Sequence, residues 1–253
     1  MAVQGNSSEN GYFISPSGLG CPITTSPFSF SAWVYLASSH GDGGVLSFTD
    51  ASSGSFTNFL YVPQASNNFI DMYVGGFNDR VDLAQIIYDD WNFYFYSINS
   101  AGTSRLSILN GNQKTYSTGT RTLSANLDRW GIGVLADSTP SYGFNQNMRI
   151  ADVAVWDDEL SAEEGSLLYD SKMSPLLVRP ENLVAYAPLN DDTDITREVM
   201  NGRYLESAGA GSMTLVDNPP LRYLRRSFSG FTPGIYIPPP PQKFRSLFRG
   251  VAF

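Results

Sequence analysis

Apolar and polar residues alternate in short runs along the chain, and clusters of Gly, Ser, Asn and Asp separate these runs. In the run 28–36 (FSFSAWVYL) every second residue is apolar, which indicates a half-buried β-strand. The run 90–98 (DWNFYFYSI) is apolar on both faces, which is typical of a central strand in a stack of two sheets. Further strands are predicted at 45–48, 69–74, 105–109, 114–117, 130–135, 148–156 and 183–189, with a further pair between 201 and 216.

A single helix is predicted within this series of strands. Ser161, Ala162, Glu163 and Glu164 form a capping-box pattern, in which the Ser161 hydroxyl and the Glu164 carboxylate each satisfy a backbone amide of the other residue. The helix is expected near 161–171. Asn110-Gly111 favours a tight hairpin between two of the predicted strands. The pattern predicts an all-β fold, an antiparallel jelly-roll sandwich with one short helix.

Composition supports one folded body and divides the chain into three parts. The 253 residues are 42% hydrophobic, 13% aromatic and only 16% charged, which suits a large β-domain with a real core. The net charge is -8, yet no acidic residue follows Asp217, and six of the 16 basic residues lie after it. We therefore distinguish an N-terminal segment (1–11), a jelly-roll domain (12–220) and an extended basic, aromatic, Pro-rich C-terminal arm (221–253).

Several kinds of chemistry are excluded by residue counts. The chain has one Cys and one His. These are too few for an internal disulfide or a Cys/His zinc site, and they make a Ser-His-Asp triad that needs a second orienting histidine impossible. Cys21 is expected to be a small packed residue, and His40 an ordinary loop residue. The first ten residues have no apolar core of a secretory signal, and no run of about 18 apolar residues predicts a membrane span.

Several stretches resemble the laminin-G-like, concanavalin A-like jelly-roll family. They are FSFSAWVYL (28–36), DWNFYFYSI (90–98), LSILNGN (106–112) and MRIADVAVWDDELSAEEGSLLYD (148–170). LVAYAPLNDD (183–192) is similar to a strand that often opens such domains, but here it follows the helix. We favour a rearranged sandwich in which this late segment completes a sheet, over the start of a truncated second copy. The resemblance covers residues 10 to 220.

The resemblance also raises the question of catalysis, because glucanases belong to the wider superfamily. Such enzymes need two opposed carboxylates, and the E-x-D-x-x-E strand pattern of the glucanase relatives does not occur in this sequence. Asp157, Asp158 and Glu159 lie in a turn, and Glu163 and Glu164 are explained by the favourable electrostatics of a helix start. We therefore predict a non-enzymatic protein.

Two kinds of ligand are implied by the resemblance. No cofactor is predicted, with a calcium ion at the rim of the sandwich as the less favoured alternative, since calcium needs six to eight oxygen ligands and no compact acidic run is present. Glycan recognition would need exposed aromatic rings. The acids available to calcium are Asp42, Asp50, Asp71, Asp79, Asp191, Asp192 and Asp194, and the aromatic candidates are Tyr61, Tyr73, Phe77, Tyr142 and Phe144.

The arm points to attachment on a large assembly. Four consecutive prolines favour a polyproline II rod, and six dispersed basic residues are too thin a patch for nucleic acid or a membrane. The anchoring residues are expected to be Arg225, Arg226, Phe231, Tyr236, Pro238, Pro239, Pro240, Pro241, Phe244, Arg245, Phe248, Arg249 and Phe253.

This organisation resembles structural proteins of tailed bacteriophages. The sequence-based prediction is a virion protein, a capsid decoration or tail component, made in the host cytoplasm and oligomeric in the assembly. Its partners would be capsid or tail proteins. The alternative is a carbohydrate-binding adhesion module that recognises cell-surface glycans.

Overall fold

The structure is a computed structural model that describes residues 2–5, 12–15, 20–39, 43–50, 58–62, 69–75, 77–82, 85–123, 126–134, 148–189, 200, 205–208 and 213–216. The arm 221–253, with every anchoring residue assigned to it, lies outside the described residues. No helix in the described part of the chain is long and apolar enough to cross a membrane.

Strands dominate the described residues. In chain order they are β1 (Ala2–Gly5), β2 (Tyr12–Ile14), β3 (Phe28–Leu36), β4 (Gly43–Thr49), β5 (Asn58–Val62), β6 (Phe69–Val74), β7 (Phe77–Asp82), β8 (Asp90–Ile98), β9 (Arg105–Leu109), β10 (Asn112–Tyr116), β11 (Arg129–Ile132), β12 (Met148–Trp156), β13 (Leu183–Ala187), β14 (Glu206–Ala208) and β15 (Met213–Val216). One α-helix, α1 (Ala162–Asp170), follows β12, and a 3₁₀ turn (Pro175–Leu177) precedes β13.

The strands form two antiparallel sheets. The first has the order β10-β9-β8-β3-β12-β1-β15, and β13 also pairs with β12. The second has the order β14-β2-β11-β4-β5-β6-β7. This arrangement confirms the antiparallel all-β fold and its one α-helix. As predicted, β8 is a central strand, since it lies between β9 and β3.

Two strands pair with the same edge of β12, and one of them, β13, belongs to the late segment 183–192 that follows the helix. β1 pairs with the start of β12 at Arg149 and Ile150, and β13 pairs with its end from Val153 onward. Between them Asp152 forms a bulge with φ 59°, and the Tyr186 hydroxyl donates a hydrogen bond to its carboxylate. The late segment therefore completes the first sheet, as the sequence analysis favoured.

Apolar faces of the two sheets meet in the main core. Its centre is aromatic, because alternating positions of β3, β4 and β8 direct rings into the same layer. Phe30 stacks with Tyr94 and Tyr96, with ring centroids 5.9 Å apart in both pairs, and Phe28 meets Phe48 edge to face at 6.1 Å.

A second, smaller core lies on the outer face of the first sheet, under α1. Trp33 and Phe93 pack 5.2 Å apart, and Tyr169 of the helix lies 6.0 Å from Trp33. The helix begins at the predicted capping box, with Ser161 as N-cap and both reciprocal hydrogen bonds formed. Gly165 faces the sheet, and its missing side chain allows close contact with Phe95.

The structure adds strands and strand pairings that the sequence analysis did not predict. The N-terminal segment 1–11 contributes β1 to the first sheet, since Ala2–Gly5 pairs with both β12 and β15. The two strands between residues 201 and 216 do not pair with each other: β14 joins β2 in the second sheet, and β15 joins β1 in the first. In addition, β2, β5 and β7 were not predicted.

Candidate functional site

The acids near the helix start hold the local structure. Arg179 donates to Glu164 Oε2 at 2.7 Å and to Asp158 Oδ2 at 2.7 Å, while Glu164 also caps the helix. The pKa of Glu163 is lowered by hydrogen bonds from its own backbone amide and from Ser161. These contacts account for the turn and for the helix N-terminus.

Two of the candidate calcium ligands, Asp71 and Asp79, are paired with arginines. Asp71 accepts a hydrogen bond from Arg80 Nε at 2.9 Å, and Asp79 accepts one from Arg105 Nε at 2.8 Å. Among the described residues, no group of three or more His, Cys, Asp or Glu side chains is placed to hold a metal ion. Asp50 is half-buried. Asp42, Asp191, Asp192 and Asp194 lie outside the described residues, as does His40.

Of the aromatic candidates, Phe77 has the accessibility that ligand stacking requires. Its side chain is 55% exposed, whereas Tyr73 is half-buried. Tyr61 is in β5, but its side chain is outside the described part of the chain, as are Tyr142 and Phe144. Phe77 is therefore the starting point of the candidate site.

Behind Phe77 lies a buried ionic cluster centred on Asp79. The strand places Phe77, Asp79 and Val81 on the same face, so Asp79 points inward from the edge strand β7 and is 2% exposed. Its Oδ2 atom accepts hydrogen bonds from Arg105 Nε and from the Tyr96 hydroxyl, both at 2.8 Å. Burial, together with this carboxylate, raises the pKa of Tyr96 well above its usual range.

Arg105 forms hydrogen bonds with the backbone of two loops around this cluster. Its side chain is fully buried and donates to carbonyl oxygens of Gly102 (3.0 Å), Thr118 (2.9 Å) and Gly119 (2.7 Å) in addition to Asp79. The turn after β8 is thereby tied to the segment that follows β10. Two loops distant in sequence thus form one rigid rim at the end of the sandwich.

Arg121 connects the cluster to the surface. Its Nη2 atom donates to Asp79 Oδ1 at 3.2 Å, and its guanidinium carbon lies 4.7 Å from the centre of the Phe77 ring. The backbone amide of Arg121 donates to the Gly102 carbonyl at 2.9 Å. Gly102 has φ +68°, and a Cβ atom there would lie 2.0 Å from the Arg121 carbonyl oxygen, so the close approach depends on glycine.

A polar cleft opens beside Arg121. Its volume is about 240 Å³. We call it the hydroxyl cleft, because five of its eight lining residues carry a hydroxyl group: it is lined by Thr24, Thr25, Ser26, Ser100, Ala101, Arg121, Thr122 and Leu123. Arg121 is the one charged residue among them. The Ser26 Oγ and Arg121 Nε atoms have no hydrogen-bond partner among the described residues.

Cys21, near the start of the segment that leads to the cleft, has no reactive character. It is half-buried and packs against the main core, as the sequence analysis expected. Burial raises the pKa of its thiol to about 12, and nearby Asp128 adds to this effect. Because the thiolate is the nucleophile, such a thiol is inert near neutral pH.

Sequence reasoning had included Phe77 among five possible aromatic platforms without singling it out, and it missed Arg105 and Arg121. Asp79 was considered only as a calcium ligand, although its position between Phe77 and Val81 in a period-two run already placed it on the apolar face. A buried carboxylate requires a cationic partner. The arginines follow 26 and 42 residues later, and no spacing rule selects them.

The fold and the matched residues assign the family. Residues 7–164 match the laminin G family of the concanavalin A-like lectin/glucanases superfamily, and the chain belongs to this superfamily. The resemblance to the laminin-G-like, concanavalin A-like jelly-roll family that was noted from the sequence is thereby confirmed. No match was found among curated proteins.

Solved structures of binding proteins share the fold. A candidate carbohydrate-binding protein from Bacteroides ovatus is 16% identical, with a TM-score of 0.59 over 87% of this chain. This chain spans 61% of that protein's length. The CBM40 domain of the Ruminococcus gnavus IT-sialidase is 15% identical, with a TM-score of 0.50 over 67% of this chain and 98% of that domain. At these identities the similarity shows a shared fold.

Proposed function

We propose that this protein is a carbohydrate-binding module that recognises glycans without hydrolysing them. This was the alternative in the sequence analysis, and the fold neighbours favour it over a virion structural role. The observation that carries the proposal is the exposed Phe77 ring, which packs against Arg121, a residue that also lines the hydroxyl cleft.

The physical basis is the amphipathic character of a sugar ring. The C–H face of a pyranose packs on the face of an aromatic ring, and its hydroxyl groups exchange hydrogen bonds with polar side chains. Phe77 offers such a ring, and Thr24, Thr25, Ser100 and Thr122 are exposed at the cleft. The cleft is slightly smaller than typical small-molecule sites of about 300–1,000 Å³, which suits one terminal sugar.

Rigidity strengthens the proposal. Phe77 and the cleft rim are attached to the buried Asp79 cluster, so little conformational entropy is lost when a ligand docks. The carboxylate of this site is itself buried and hydrogen-bonded to Tyr96, Arg105 and Arg121. Glycoside hydrolysis would require two carboxylates reaching the sugar, so the proposal is binding alone.

A glycan array with the full chain tests the proposal, using Phe77→Ala as the variant. We expect specific glycan signals that fall at least tenfold in this variant, because the stacking surface is removed. Ile87→Ala is the matched control, since Ile87 is also a large apolar side chain and is 51% exposed. Equal signals for wild type and Phe77→Ala would overturn the assignment to this site, and a protein that binds no glycan would overturn the function.

Attachment to a virion stays a prediction from the sequence. It rests on the charge reversal and the proline run of the arm 221–253, and the arm lies outside the described residues. Carbohydrate binding by the body and attachment through the arm are compatible. A displayed glycan-binding module needs both a recognition site and an anchor.

A further inference from the structure

We infer that the hydroxyl cleft takes an anionic glycan, with Arg121 as the residue that recognises a carboxylate or sulfate group on the sugar. The inference rests on the proposed function and names its class of ligand. It follows from the charges, the hydrogen bonds and the lining of the cleft.

The buried cluster carries more positive than negative charge. Asp79 is one carboxylate facing two guanidinium groups, those of Arg105 and Arg121, at 2.8 and 3.2 Å. Tyr96, the fourth member, stays neutral because burial raises the pKa of its hydroxyl. An uncompensated charge is costly in an environment of low dielectric constant, so the cluster favours an additional anion.

The two arginines differ in how well they are satisfied. Arg105 donates to Asp79 and to carbonyl oxygens of two separate loops, so its positive charge is well solvated by the protein. The Arg121 side chain makes one hydrogen bond within the described residues, at 3.2 Å, and its buried Nε atom has no partner there, while 11% of the side chain is exposed. The excess charge is therefore located on Arg121, and Arg121 lines the cleft.

The remainder of the cleft wall is compatible with an anion. Apart from Arg121 its lining residues are uncharged, and they supply Ser and Thr hydroxyl donors without a carboxylate that would repel the ligand. Guanidinium groups bind carboxylates and sulfates through charge-assisted hydrogen bonds, which are about twice as strong as neutral ones. A neutral sugar would leave this capacity unused.

The experiment compares charged and neutral sugars on the full chain by isothermal titration calorimetry. The probes are sialyllactose, a galacturonate disaccharide and sulfated lactose, with lactose as the neutral reference. We expect at least one anionic probe to bind ten times or more tightly than lactose. We also expect its affinity to fall as NaCl rises from 50 to 500 mM, because salt screens the charge pair.

Two pairs of variants locate the effect. Ala101→Asp adds a carboxylate to the exposed cleft wall and should weaken binding of the anionic probe at least tenfold more than Ala101→Asn, which adds a side chain of the same size without the charge. Arg121→Gln should weaken this binding at least tenfold. Arg149→Gln, which removes the same charge from a residue that packs over Tyr35, should stay within twofold of wild type. The Ala101 pair leaves the Asp79 cluster intact, so it tests the inference even if Arg121→Gln unfolds.

The outcomes separate the two proposals. Binding of lactose that equals binding of the anionic probes, and that still depends on Phe77, would overturn the anionic inference and leave the proposed function standing. Equal losses for Arg121→Gln and Arg149→Gln would show diffuse attraction and would overturn the assignment to Arg121. Binding of no sugar at all would overturn both proposals.

Discussion

A single buried carboxylate organises one end of this molecule. Asp79 lies on an edge strand, yet it is 2% exposed and accepts hydrogen bonds from side chains of β8, β9 and the segment after β10. Burying charged groups costs several kcal/mol each, and only close partners offset that cost. The cluster therefore fixes the geometry of the surrounding loops more than it adds to global stability.

Arg105→Met tests this role at the scale of the residue. The substitution removes a guanidinium group that bonds Asp79 and the backbone carbonyls of two loops, leaving these acceptors buried without their donor. We expect the free energy of unfolding to fall by about 3–5 kcal/mol, measured by urea denaturation.

Arg80→Met is the control for the loss of an arginine. Arg80 pairs with Asp71, whose side chain is 7% exposed, but the Arg80 side chain is itself 52% exposed, and Asp71 keeps a second hydrogen bond from Asn78. We therefore expect a smaller loss of stability than in Arg105→Met. A loss in Arg105→Met no larger than in Arg80→Met would show that Arg105 does not fasten the loops.

At the scale of the element, the position of α1 is determined by its own capping residues and by the sheet residues that bind the turn before it. The capping box determines where the helix begins, and Arg179 bridges Glu164 and Asp158 across the turn before it. Two serines of the sheet form hydrogen bonds with that turn. The Ser97 hydroxyl donates to the Leu160 carbonyl, and the Ser29 hydroxyl accepts from the Leu160 amide, both at 2.9 Å. Larger side chains at these sheet positions would displace the turn.

The substitution Gly165→Ala has two opposing effects on stability, a gain in helix propensity and a loss from overpacking against the sheet. Alanine favours an exposed helix interior by about 0.5–1 kcal/mol over glycine. However, the new Cβ atom would lie 2.6 Å from Ile108 Cδ1 and 3.0 Å from the Phe95 ring, and overpacking of this kind costs about 1–3 kcal/mol. We expect a net loss of stability, seen as a lower melting temperature in circular dichroism.

Ile108→Val provides the matching compensation, because it removes the closest of the clashing atoms. The double variant Gly165→Ala/Ile108→Val should be more stable than the sum of the two single changes implies. Additive effects would mean that the helix moves away from the sheet instead of pressing against it.

The elements predicted correctly are those whose own sequence contains the pattern of burial. β3, β8 and β12 have strong apolar periodicity, and α1 has a local capping signal, so both their type and their bounds follow from a few neighbouring residues. β1 has the sequence AVQG, which carries no such pattern. It is a strand because β12 and β15 present free edges on either side of it, and that information is non-local.

The candidate site shows the same division between local and non-local information. Phe77 could be proposed from the sequence as an aromatic platform, because ring chemistry is a property of the residue. Its partner Arg121 comes from a segment without regular structure 44 positions later, and only the folded sandwich brings the two together. The excess positive charge on Arg121 depends on Asp79, Arg105 and Arg121 together, and these residues come from separate parts of the chain. No local sequence pattern therefore indicates it.

At the scale of the whole molecule, the first sheet has packed side chains on both faces. The main core fills the space between the sheets, and the second core fills the space under α1 and the segment that leads to β13. The rim cluster of Asp79, Arg105 and Arg121 lies at β7 and at the loops that follow β8 and β10, so it is independent of the helix-covered surface. The helix-covered surface and the proposed recognition site thus lie on different parts of the sandwich.

A truncation after Pro220 tests whether the arm 221–253 is separate from this body in function. The last strand of the described residues, β15, ends at Val216, and the cleft is built from residues 24–26, 100–101 and 121–123. We therefore expect the truncated chain to melt within a few degrees of the full chain in calorimetry and to keep the same glycan profile. Attachment to an assembled particle, measured by co-sedimentation, should be lost, because the aromatic and proline residues of the arm are expected to supply the apolar contact area. Equal co-sedimentation of the two forms would show that the body itself carries the attachment site. A collapsed melting transition in the truncated form would show instead that residues after Pro220 complete the core.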